Sequence, residues 1–137
     1  FIIEGGFFAN MGSSLANVVT SSISSVGLNS AVGGGIVNDN GGSPITARGV
    51  CWNTTGSPTT ADNKTTNGSG TGSFSSSITG LSHSTIYYVR AYATNTAGTA
   101  YGNEVAFTTI PTLPEWGLIV FGALIAGFAV RKIIKMV

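Results

Sequence analysis

The sequence predicts a mostly β protein: a single β-sandwich with an apolar N-terminal arm and one C-terminal hydrophobic α-helix. Three observations carry that prediction. Short runs of alternating apolar and polar residues, each closed by a turn signal, fill the middle of the chain. Charged residues make up only 8% of the 137 residues, against roughly 25% in ordinary soluble domains. Glycine (20 residues), serine, threonine and asparagine fill the deficit, a balance that suits a β-rich extracellular domain better than a cytosolic helical enzyme. Near the C-terminus, residues 116–130 carry no charge and are followed by Arg131 and Lys132. The length leaves room for one domain of about 100 residues plus appendages.

Residues 1–16 form the arm, with Phe1, Ile2, Ile3, Phe7 and Phe8 interrupted by glycines. It is too short to span a membrane and too apolar for a free tail. A strand donated to an exposed sheet edge of a neighbouring copy would bury it and supply main-chain hydrogen bonds. Folding back on its own sandwich is the alternative. Residues 17–24 and 31–38 are the first two strands, the second stopped by the turn at 38–44. Residues 45–53 are the third, with Arg48, Val50 and Trp52 on one face and Ala47, Gly49 and Cys51 on the other. A long polar connection, 54–71, precedes a strand at 72–79 in which Phe74, Ser76 and Ile78 share a face. The clearest strand is 86–95: Tyr87, Val89, Ala91 and Ala93 lie on one side, Tyr88, Arg90 and Tyr92 on the other. A turn at 95–98 leads to a last strand, 99–109.

The run Leu81-Ser82-His83-Ser84-Thr85-Ile86-Tyr87, continued by Tyr88-Val89-Arg90-Ala91-Tyr92-Ala93-Thr94-Asn95, resembles the fibronectin type III superfamily in its bacterial surface-protein variant. Leu81 and Tyr87 match that family's tyrosine corner, in which a Tyr hydroxyl ties the strand to upstream backbone. The stretches from Ile45 to Trp52 and from Gly102 to Thr109 are similar to the same variant. The resemblance covers residues 17–109 and implies a single Ig-like β-sandwich. Two positions depart from it. His83 stands where the family often has proline, and Gly33-Gly34-Gly35 stand where its second strand usually carries Trp. The glycines predict a bulge or a close backbone approach, with a neighbouring segment lying over them.

Ile110-Pro111-Thr112-Leu113-Pro114-Glu115-Trp116-Gly117 resembles the IPTL-type C-terminal sorting tails of Gram-negative bacteria. In those tails the motif precedes a hydrophobic helix and a short basic end, and an exosortase-type enzyme is the implied partner. The resemblance implies an exported, cell-surface or extracellular protein. The chain opens on Phe1 without a recognisable signal peptide, so a removed leader or a fragment is expected. As a helix, residues 116–130 would be about 22 Å long against roughly 30 Å for a bilayer core. Extension to Ile134 covers the difference if Arg131 and Lys132 snorkel. Gly122/Ala126 and Ala123/Gly127 are small-xxx-small pairs that let helices approach closely. A retained helix is either embedded in a membrane or bundled among copies of itself.

Charge excludes one class of partner. Arg48, Lys64 and Arg90 against Glu4, Asp39, Asp62 and Glu104 leave residues 1–114 slightly acidic, so no basic patch tracks a nucleic acid. The excess sits at the end, in Arg131, Lys132 and Lys135 against Glu115. The single cysteine, Cys51, forms no intrachain disulfide and is expected to be a small buried hydrophobe. One histidine and one cysteine cannot build a zinc site. Asp39 and Asp62 fall in different loops, and no glycine loop has the strand-to-helix setting that cradles phosphate. His83 flanked by Ser82 and Ser84 is not a catalytic arrangement, since neighbours on a turn do not reach the needed geometry. Neither a catalytic residue nor a cofactor is expected. Asn53, Asn63 and Asn67 begin N-x-S/T sequons that would mark glycosylation if exposed.

These expectations converge on a non-enzymatic, pilus-like structural subunit of a surface filament, a homopolymer jointed through the helix and the arm. The rival is a membrane-anchored adhesion or display module that binds glycan or protein through its loops.

Overall fold

A computed structural model describes residues 12–112 of the chain. The arm residues Phe1, Ile2, Ile3, Phe7 and Phe8, the motif residues from Leu113 to Gly117 and the helix with Gly122, Ala123, Ala126 and Gly127 lie outside the described residues. Among the described residues, no helix is long and apolar enough to cross a membrane.

Eight strands form two antiparallel sheets. They are β1 (Asn17–Thr20), β2 (Ser30–Asp39), β3 (Ala47–Asn53), β4 (Asn63–Lys64), β5 (Gly72–Thr79), β6 (Ile86–Asn95), β7 (Gly98–Tyr101) and β8 (Val105–Thr108). One sheet has the order β1-β2-β5; the other runs β4-β3-β6-β7, with β8 also on β6. Alternation explains the core. The face of β6 carrying Tyr87, Val89, Ala91 and Ala93 is buried, and it meets Ala31, Val37 and Ile78 from the opposite sheet. Val18 and Phe74 pack against both halves of this core and join them.

Three predicted elements differ. The first strand stops at Thr20, and Ser24 makes only a single bridge to Val32. The last strand is two: β7 pairs with Tyr92 to Asn95 and β8 with Ile86 to Val89. The break falls at Gly102, whose N–H donates to the Ala91 carbonyl at 2.8 Å while Asn103 Oδ1 accepts the Thr20 N–H at 3.0 Å. One strand thus turns aside to receive the end of β1. The polar connection is a cover with its own short strand, β4. Along it, Thr65, Asn67 and Gly70 donate to the carbonyls of Val50, Arg48 and Ile45. Periodicity cannot reveal such a strand, because its side chains are nearly all polar.

The Gly33–Gly35 run is a place of close approach. A Cβ on Gly35 would lie 2.6 Å from Ala91 Cβ and 2.8 Å from the Val19 carbonyl oxygen. Ile23 reaches Gly33 from the segment after β1. Pairing of β2 with β5 continues in register through all three glycines, so the strand approaches its neighbours without a bulge there. At Gly35 the two sheets meet closely, with Ala91 of β6 against the glycine of β2.

Candidate sorting pole and exposed sheet

β6 runs the height of the sandwich, about 33 Å for ten residues. At its upper end the chain enters. Ser14 N–H donates to the Gly41 carbonyl, and buried Asn95 gathers the entering backbone, donating through Nδ2 to the Ser14 and Asn40 carbonyls, both at 2.8 Å. Residues 13–16, read from the sequence as part of the arm, are therefore bonded into the sandwich, and Ala16 is buried in its core.

The chain leaves at the lower end. Tyr87 accepts the Ser82 N–H at 2.8 Å through its hydroxyl, and its ring stacks on Phe107 with centroids 5.8 Å apart. Leu81, buried, closes the core beneath. Thr109 is buried and holds the same corner: its hydroxyl donates to Ser82 O at 2.6 Å and accepts Thr85 N–H at 2.9 Å. The next residue, Ile110, donates its N–H to Gly27 O and accepts Ser84 N–H through its carbonyl. Three motif residues, Ile110, Pro111 and Thr112, are thus half-buried on the lower pole. Beside them lies a groove of about 300 Å³ lined by Leu28, Asn29, Leu81, Ser82, His83 and Thr112.

His83 is exposed there, with Nδ1 3.5 Å from Ser84 Oγ, and both neighbouring serines are exposed. Ser84 adopts a left-handed backbone with φ 51°, as Ser25 (48°) and Ser57 (47°) do. Among the described residues no three His, Cys, Asp or Glu side chains gather. Asp39 Oδ1 accepts Gly41 N–H at the upper end, whereas Asp62 Oδ2 accepts Thr59 N–H at the lower end. The two carboxylates stand at opposite poles.

The outer faces of the two sheets contrast. Over the five-stranded sheet, Arg90 donates from Nε and Nη2 to the Pro58 carbonyl at 2.9 and 2.7 Å, and stacks 4.3 Å above the Tyr101 ring. Tyr101 in turn accepts Thr60 N–H, and Tyr92 donates to Thr65 O at 2.6 Å. This cover buries Cys51 completely and pushes its thiol up to about 11, chiefly by desolvation, with the Arg90 charge acting the other way. Among the described residues, no such lid covers the three-stranded sheet. Val19 and Ile36, paired across β1 and β2, are 41% and 38% exposed. On β5, Gly72, Ser73, Ser75, Ser77 and Thr79 are exposed, and no charged residue occurs in the strand.

The three sequons differ in context. Asn53 donates to Gly56 O and Asp62 Oδ2, and Asn67 Oδ1 accepts from Ser76 and Thr65. Asn63 is exposed on β4. Arg90 and Asn95 were invisible to site-seeking in the sequence because each acts on backbone, which leaves no pairing signal between side-chain types.

Comparison with known proteins agrees with both halves of this arrangement. Residues 108–133 match the IPTL-CTERM motif. The sandwich is similar to a solved myokine structure (18% identity, TM-score 0.54, covering 71% of this chain and 99% of that one). It is also similar to the sensor domain of the anti-sigma factor RsgI4 in Pseudobacteroides cellulosolvens (14%, TM-score 0.53, 72% and 98%). A fourth FNIII domain from human aligns at 17% identity and TM-score 0.51, covering 73% and 81%. No curated protein sequence matches the chain. The chain is a fibronectin type III-like sandwich followed by an IPTL-type tail. That sorting signal points to an exported, cell-surface protein.

Proposed function

We propose that this chain is a non-enzymatic structural module of the cell surface, standing on its C-terminal tail and holding its opposite pole away from the envelope. The observation that carries this reading is the placement of the two ends of the sandwich. Ser14 is fixed beside Asn95 at one end of β6, and Ile110 beside Ser84 at the other. A domain entered and left at opposite poles acts as a spacer in series with whatever it joins. Its sorting motif starts at the lower pole, where an exosortase-type enzyme and the membrane would meet it.

Assembly into a filament is a second reading, favoured by β5. That strand pairs with β2 along its whole length on one side. Among the described residues, no backbone bond is made from its other edge. An edge of eight residues without charge or proline lacks the usual protection against pairing with another chain. The arm at Phe1–Phe8 of a neighbouring copy, or the bundling of helices through Gly122, Ala123, Ala126 and Gly127, would complete the joints. Display of a ligand-binding surface on the upper loops is the remaining use of the same scaffold.

The test compares the full chain with a version ending at Thr109, both expressed with an export leader. The full chain is expected in the envelope fraction, labelled at Lys64 by an amine reagent that does not enter cells, and the truncated chain in the medium. Equal partition of the two would sink the reading. Electron microscopy of sheared material then separates fibres from isolated modules.

A further inference from the structure

We propose that the lower pole of the sandwich is a lipid-contacting surface, with Leu28 and Ile86 set into the headgroup layer on either side of the exiting chain. This contact rests on the proposed tail being held in a membrane, and it adds what the foot of the module touches. The exit fixes the place. Ile110 donates its N–H to Gly27 O and accepts Ser84 N–H, so the chain leaves between two turns. Leu28 follows Gly27 in one of them, and Ile86 opens β6 two residues after Ser84. Both large apolar side chains are open, at 43% and 52% exposed. Neither turn brings a charge: residues 21–38, 65–89 and 105–112 contain no Asp, Glu, Lys or Arg. The lid's carboxylates, on Asp62 and Glu104, accept the Thr59 and Ser57 N–H groups. An uncharged pole gives up no ionic hydration on entering a headgroup layer.

Chain length brings the membrane to that pole. The charge-free run of the tail begins at Trp116, four residues beyond Thr112, and four residues reach at most about 14 Å. A headgroup layer is itself roughly 5–8 Å deep on each side of the hydrocarbon. The length of the run closes the gap further. As a helix, residues 116–130 would make about 22 Å, roughly 8 Å less than the hydrocarbon core. A span shorter than the bilayer draws its flanks into the interface, and one flank here is the segment 110–115 with the sandwich behind it. The lower pole is thereby held against lipid, and the apolar side chains open there are the ones that meet it. Leu15 is as exposed as Ile86, but it follows Ser14 at the opposite pole, the height of β6 away.

The experiment places the full chain in phosphatidylcholine vesicles with one fluorophore at a time, on Leu28→Cys, Ile86→Cys, Leu15→Cys or Leu124→Cys. Cys51 stays unlabelled because it is fully buried. Spin-labelled phosphatidylcholine should quench the labels at 28 and 86 several-fold more than the label at 15. Quenching at 124 without quenching at 28 and 86 would overturn the lipid contact and leave the anchored tail standing. No quenching at 124 would bring down both. Labels at 28 and 86 that are shielded from water yet unquenched by lipid would put a second copy on the pole and overturn the contact as well. A charged variant supplies the second readout. Leu28→Glu with Ile86→Glu alters only exposed positions, and a label on His83→Cys should then lose its quenching several-fold. Unchanged quenching at 83 counts against the contact.

Discussion

The two outer faces of this sandwich are built on opposite plans. The five-stranded sheet wears its longest connection as a lid, pinned by Arg90 to Pro58 and by Tyr92 to Thr65. Among the described residues nothing covers the three-stranded sheet, where the Val19–Ile36 pair and the serine-rich edge of β5 are exposed. Both are outer faces of one domain, and their inner faces share one core. The difference sets a face closed by the chain's own connection against one that the described residues leave exposed.

Breaking the lid should have the largest effect. Arg90→Met removes two charge-assisted hydrogen bonds to one carbonyl and a ring contact, and is expected to cost about 2–3 kcal/mol in urea unfolding. Hydrogen exchange would locate the loss: amides of residues 54–62 should speed up, while those of β2 paired with β5 keep their protection. Uniform loosening of both sheets would show that the lid is part of the core.

Cys51 gives a second, pH-dependent view of the same lid. Its pKa is raised, chiefly by burial, from an ordinary thiol value of 9.0 to about 11. The folded chain holds the proton more tightly than the unfolded one. Stability from this group is therefore fully present below about pH 9 and is lost as pH rises towards 11. About two units at roughly 1.4 kcal/mol each sets the scale of the loss at 2–3 kcal/mol. Cys51→Ala removes this one contribution and leaves the other ionising groups in place, so the difference between the two stability–pH curves isolates the thiol. Parallel curves would mean that water reaches Cys51 beneath the lid.

Much of this contrast was legible in the residues, and the illegible part has a physical cause. Strand β6 could be read whole because a buried face with an alternating outer face leaves period-two spacing, and Tyr87 and Leu81 stood out at their corner. The lid could not be read, because residues 54–71 bury little apolar surface of their own and are held through backbone carbonyls. Arg48 shows the same limit: its alternation with Val50 and Trp52 is right, yet its guanidinium closes an edge by donating to the Asn67, Gly70 and Thr71 carbonyls. The split between β7 and β8 hinges on Gly102 and Asn103 meeting Thr20, a contact 82 or 83 residues apart in the chain. The motif at Ile110 was plain as a sequence, but not its bonding to Gly27 and Ser84.

The smallest effect on stability should carry the most information about the bare face. Ser75 is exposed in the middle of β5, paired opposite Gly34 of β2. Ser75→Lys adds a charge to an edge that has none and removes no core contact, so the change in unfolding free energy should stay within about 0.5 kcal/mol. A lysine in the middle of an edge strand is the device by which sheets avoid pairing with other chains. If copies associate through β5, the variant should lose the higher oligomers seen by light scattering in the wild type, with Thr54→Lys on the lidded side leaving them intact. Should both variants assemble alike, β5 is not the joint, and the bare face must serve something other than a second copy.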